Sequence, residues 1–71
     1  MFNSNLLKGK IIEQGLTLSQ FSELSEIKKT ALYRKLSGKV EFTRRDIERT
    51  AEVLSLSPEL INKIFFAKNV S

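Results

Sequence analysis

The chain has 71 residues, a net charge of +4, and neither cysteine nor histidine. That length fits one domain with one small core, worth about 3–5 kcal/mol. With no thiol and no imidazole, disulfide staples, thiolate zinc sites, zinc fingers and Cys or His nucleophiles are excluded, so helix packing, capping or association has to supply the stability.

Taken in chain order, the helix signals dominate. Leu7 and Ile11 stand four apart with Leu6 and Ile12 beside them, which predicts an amphipathic helix over 5–14. Ser4 is placed to cap its start and Gly15 to end it. Gly9 lies inside, where it costs about 1 kcal/mol relative to Ala; close approach by another helix would justify it. Thr17 and Gln20 fit a capping box that opens a second helix over 18–24, with Leu18, Phe21 and Leu24 as its apolar positions. Ser25-Glu26-Ile27 is a three-residue break. A third helix, 28–36, follows and stops at Ser37-Gly38. "KVEF", 39–42, is the one strand candidate, too short and isolated to need a partner.

Thr43 caps a fourth helix, with Asp46 in the first turn, where the helix dipole favours an acid. Its inner face is Ile47, Ala51 and Leu54. Ser57-Pro58-Glu59 starts the last helix, since it supplies a cap, then proline at the first helical position, then an acid. That helix carries Leu60, Ile61, Ile64 and Phe65, and residues 67–71 are expected to fray. The expectation is an all-α fold: five short helices in a single domain over 1–71.

The second helix, the break and the third helix have the spacing of a helix-turn-helix, which lays its second helix in the DNA major groove. Residues 28–40 hold no acid. Leu32 and Leu36 belong to the buried side, which turns Thr30 and Arg34 outward at 100° per residue, with Lys29 and Tyr33 to one side. Residues 28–49 carry eight Lys/Arg and three Asp/Glu, a net +5, whereas the remainder carries four and five, a net −1. Concentrated positive charge of this kind suits phosphate, and the plain alternative is a solvated face.

The stretch "GLTLSQFSELSEIKKTALYRKLSGK", 15–39, resembles the DNA-binding core of phage Cro/CI-type repressors, the lambda-repressor-like or XRE group. "EFTRRDIERTAEVLSLSPELINKIFF" is similar to the closing helices of small Gram-positive phage repressors. The resemblance spans about residues 6–66, and "TALYRKLSGK" is its most specific part. It implies a compact five-helix lambda-repressor-like domain that binds a double-stranded DNA operator, usually as a homodimer, in a lysis/lysogeny switch. By position it assigns base contacts to Lys28, Lys29, Thr30, Tyr33 and Arg34. Arg34 and Lys29 suit guanine O6 and N7, and Thr30 suits a thymine methyl or a phosphate. Tyr33 is either a base reader or a partly buried packing residue. Ser19, Lys35, Lys39, Arg44 and Arg45 suit phosphates, which set register without reading sequence.

Three positions depart from the family's pattern. Leu18 stands where a phosphate-anchoring Gln is common, Glu26 where the turn usually has Gly, and Lys28 where a capping Ser is frequent. A left-handed Glu26 would cost about 1–2 kcal/mol, and the missing cap about 1 kcal/mol. Leu18 and Glu26 together put an apolar and an acidic group at the DNA-facing end, which suits a protein surface. Two functions therefore stand: a Cro-like repressor acting by operator occupancy, or an antirepressor that binds a partner phage repressor. "IFFAKNVS" is the expected association surface, with Phe65 in the core and Phe66 either outside or a second core aromatic.

Enzyme chemistry has little support. Gly9, Gly15 and Gly38 form no phosphate loop, and Glu13, Glu23, Glu48 and Glu52 read as helix surface, the last two pairing with neighbouring Arg45 and Arg49. No enzyme activity, cofactor, metal or small-molecule substrate is expected. No apolar run approaches the roughly 18 residues of a membrane span. "MFNSNLLKGKII" also lacks the pattern of a signal peptide, so a location in the host bacterial cytoplasm is expected.

Overall fold

The computed structural model describes residues 2–66; the expected fraying of 67–71 lies outside them. The helices are α1 (Ser4–Glu13), α2 (Leu18–Ser25), α3 (Lys29–Leu36), α4 (Arg44–Leu54) and α5 (Pro58–Ile61), the last running into a π-helical turn, Asn62–Phe66. No strand forms among the described residues, so "KVEF" is irregular chain between α3 and α4.

The starts and stops follow local chemistry. Thr17 accepts from the Gln20 N–H while the Gln20 side chain accepts from the Thr17 N–H. Thr43 and Asp46 make the same reciprocal box at α4. Ser57 accepts from the Leu60 N–H ahead of Pro58. Each such cap is worth about 1 kcal/mol. At α1 the cap is Asn3, which accepts from the Leu6 N–H, and not Ser4. Ser4 is the first helical residue, and its hydroxyl donates to the Leu36 carbonyl at 2.8 Å, tying the start of α1 to the end of α3. Gln14 performs the matching task at the other end of α1, donating to the Leu54 carbonyl at 2.8 Å.

Gly15, at φ +75°, supplies the left-handed turn after α1. Gly9 has no such role. A Cβ added there would meet nothing within 4 Å, so no close helix approach requires it.

The core is a single cluster of Leu7, Ile11, Phe21, Ile27, Leu32, Leu36, Leu54, Ile64 and Phe65. Full burial of such side chains is worth about 1.5–3 kcal/mol each. Ile47 and Ala51 of α4 are half-buried, and the fully buried polar residue beside Leu54 is Thr50. Leu24 does not join the core: it is 57% exposed, and Ser25 takes the buried place on α2. Positions three and four beyond Phe21 both fall near the buried side of a helix, and the turn decides in favour of Ser25. Beneath the core, Phe2, Phe42 and Phe65 form an aromatic triad with ring centroids 4.9–5.8 Å apart. The Asn3 N–H donates to the Ile64 carbonyl at 2.6 Å, so the first described residues are sealed against the last.

Candidate nucleic-acid interface

The candidate interface centres on the junction of α2 and α3. Glu26 adopts the left-handed conformation, φ +61°, ψ +21°, at the end of α2. Two serines hold the turn in place. Ser22 donates to the Ile27 carbonyl. The buried Ser25 hydroxyl donates to the Ser22 carbonyl and accepts from the Ile27 N–H, both at 3.4 Å. Ile27 then plugs into the core. The backbone strain at Glu26 is thus imposed by its neighbours.

With Ile27, Leu32 and Leu36 inward, the opposite side of α3 faces solvent. Lys29, Thr30, Tyr33 and Arg34 on this helix and Lys28 at its N-cap are all exposed, Tyr33 with 49% of its surface in solvent and the rest covered. Lys28 occupies the N-cap position and makes no side-chain cap hydrogen bond. Its side chain is therefore not tied to the helix start. Ser19 on α2, Lys39 after α3 and Arg45 on α4 are exposed as well. At the end of α3, Gly38 at φ +84° turns the chain, and the Lys39 N–H donates to the Arg34 carbonyl at 3.0 Å.

Lys35 is different. Its side chain is only 12% exposed, and its ammonium is bound to the Asp46 carboxylate, itself 14% exposed. Asp46 therefore caps α4 and clamps α3 to it. Burial alone would push this carboxyl up, but hydrogen bonds from Lys35 and Thr43 outweigh that and hold it below its ordinary value. The geometry removes Lys35 from the cations free to meet a phosphate.

Arg44, by contrast, stays in solvent with the other expected phosphate contacts. It is 94% exposed and lies 3.6 Å from Glu48, one turn along α4. Arg49 does not pair with Glu48 or Glu52 as adjacency suggests. It reaches Glu26 at 3.0 Å. This pair crosses from α4 to the helix-turn-helix, and it places a cation against the one acid at the turn. Local spacing carries no signal for a partner 23 positions away; only the packing of α2 on α4 brings the two together.

The residues expected to favour a protein partner are scattered. Leu18 is half-buried and packs against the core. Glu26 is exposed and engaged by Arg49. Phe66 is 55% exposed, while Phe65 is in the core. The remaining residues of "IFFAKNVS", 67–71, lie outside the described part. Among the described residues no cluster of His, Cys, Asp or Glu is arranged to hold a metal ion, and no helix is long and apolar enough to cross a membrane. No family model, curated protein or solved structure matches the chain.

Proposed function

We propose that the protein is a non-enzymatic, Cro-like transcriptional regulator that works in a bacterial cytoplasm, as part of a phage lysis/lysogeny switch, by occupying an operator. The observation that carries this reading is the exposed, acid-free face of Lys28, Lys29, Thr30, Tyr33 and Arg34 on the second helix of a helix-turn-helix. Arg34 and Lys29 have the donors to read guanine in the major groove. Ser19, Lys39 and Arg45 supply phosphate contacts around them. The Arg49 cation offsets the Glu26 carboxylate at 3.0 Å, which lowers the repulsion that an acid at the turn would exert on the DNA backbone.

The test is retention of genomic fragments by the purified protein at about 150 mM salt, where purely electrostatic binding is weak. A sharply enriched, two-fold symmetric site is expected. Arg34→Ala should cost about 1–3 kcal/mol there and relax the sequence preference at one position of each half-site. Retention without any sequence preference would sink the operator reading.

The second reading is an antirepressor that docks on a partner repressor. Leu24 supports it more than Leu18 does. Leu24 is an exposed apolar residue next to Glu23 and close in sequence to Glu26, an acidic and apolar corner that suits a basic protein surface and not phosphate. Leu24→Ser would then weaken capture of the repressor while leaving DNA retention unchanged.

A further inference from the structure

The arginines of α4 differ in what they meet. Arg44 pairs within its own helix, Arg45 makes no ion pair among the described residues, and Arg49 reaches out to Glu26 at 3.0 Å. Arg45 and Arg49 are four positions apart, so they share one stripe of α4, about 6 Å apart along its axis. Arg45 is exposed and already stands among the residues suited to phosphate. Arg49 keeps 29% of its side chain in solvent, so it can be met from outside. A guanidinium offers a planar fork of donors that matches the oxygens of a phosphate.

The group that holds Arg49 is unusual for its place. Glu26 keeps a left-handed backbone, φ +61°, that is strained for an acid and that glycine would adopt freely. Its side chain is 68% exposed, and an ion pair so open to water adds little to stability. Folding alone therefore does not account for a carboxylate at this position. Backbone strain of this kind gathers at binding sites and switches. Here the strained residue stands at the turn that leads into the outer face of α3, and it presents to Arg49 the same kind of charged oxygen that a phosphate presents.

We propose that Arg49 is a further phosphate-binding residue, in line with Arg45, and that Glu26 masks it. The pair is an autoinhibitory contact built into the helix-turn-helix. The proposal rests on the operator reading for the identity of the anion, a phosphate of the DNA backbone. A strand drawn to Arg45 has to displace the carboxylate from Arg49 and then lie beside it, and both costs lower affinity. The five candidate base-reading residues take no part in the pair. The mask therefore weakens binding to every duplex about equally and leaves sequence preference alone. A site bound less tightly is vacated sooner, since affinity differences between related complexes lie mostly in the off-rate.

The experiment is a salt titration of binding to a random-sequence DNA duplex by the native full chain, Glu26→Gln, Arg49→Met and the double variant. Gln removes the charge of Glu26 and leaves the side chain its length. Glu26→Gln should steepen the fall of log affinity with log salt by about 0.9, the signature of one more phosphate neutralised. Arg49→Met should keep the native slope, and adding Glu26→Gln to it should bring no gain. Arg49→Lys combined with Glu26→Gln should keep the gain, because a phosphate takes either cation; that variant separates loss of charge from loss of fold. A carboxylate that acts only by repelling DNA would give the same gain with and without Arg49, and that result would overturn the proposal. So would a slope unchanged in Glu26→Gln. The operator reading fails separately: a slope gain on random duplex with no enriched genomic site defeats that reading alone, and an enriched site with no slope gain defeats the mask alone. No binding to duplex by any of these proteins defeats both.

Discussion

On the outer face of α3, Lys28, Lys29 and Arg34 make no ion pair among the described residues. At the seam between the helix-turn-helix and α4, Lys35 and Arg49 are each held by a carboxylate, Asp46 and Glu26. All five cations come from one positively charged stretch. Burial separates them. Lys35 has 12% of its side chain exposed and Arg49 has 29%, and a cation withdrawn from water to that degree needs a partner. The outer residues keep their water and stay available for an anion. Counting Lys and Arg along a run therefore overstates the charge left free for an anion, and it misses the residues that hold α3 in place.

Five experiments would break or sharpen this contrast. The largest effect is expected for Asp46→Ala, which removes both the α4 cap and the partner of a mostly buried ammonium; a loss of about 2–3 kcal/mol should appear in urea unfolding. The same carboxylate gives the seam a pH signature. Its folded-state pKa lies below its ordinary value, so between the two values the unfolded chain binds more protons and stability rises with pH. The contribution is complete above the ordinary carboxylate range and is lost as the pH falls through the folded-state value. Unfolding midpoints measured down to about pH 2 should show this loss in the native protein and not in Asp46→Asn.

Next comes a comparison of Lys35→Met with Lys39→Ala. The first should lower stability and leave the salt dependence of DNA binding nearly unchanged. The second should leave stability unchanged and reduce the slope of log affinity against log salt by about 0.9. Equal slopes in the two variants would mean that the contrast between seam and face is false. Glu26→Gly should stabilise by about 1 kcal/mol, because relief of a left-handed non-glycine residue outweighs the loss of a half-exposed ion pair. The smallest effect is Gly9→Ala, a gain of up to about 1 kcal/mol in an exposed helix position with open space around it. No gain in thermal unfolding would mean that α1 does not behave as an ordinary exposed helix there.

The parts of the fold legible in the sequence were those set within a few residues. The box at Thr17–Gln20, the cap at Thr43 and the Ser57-Pro58 start formed as read, because a cap depends only on neighbours three positions away; Asp46, read as a first-turn acid, also closes a box on Thr43. The left-handed Glu26 and the uncapped Lys28 were legible only through the resemblance, as positions where that group commonly has Gly and Ser. What depended on packing was not legible. Asn3 and Ser4 are both good caps, and the choice fell to Asn3 because Ser4 is drawn to Leu36, 32 residues on. Lys35 and Lys39 look alike in a cationic run, and only the approach of α4 distinguishes them. Phe2 carried no periodic pattern that would announce its place under the core.

The aromatic triad also sets a timetable. Phe2 and Phe65 stack at 5.8 Å although 63 positions separate them, and Phe42 bridges the two. A ribosome makes Phe65 long after α2 and α3 are complete. The helix-turn-helix therefore emerges first, with the underside of its core still open to water, and the base of the domain closes only after Phe65 has cleared the exit tunnel. Helices of eight residues do not hold alone in water, so α2 and α3 stay unformed through that interval and gain their shape only when Leu54, Ile64 and Phe65 arrive to complete the core.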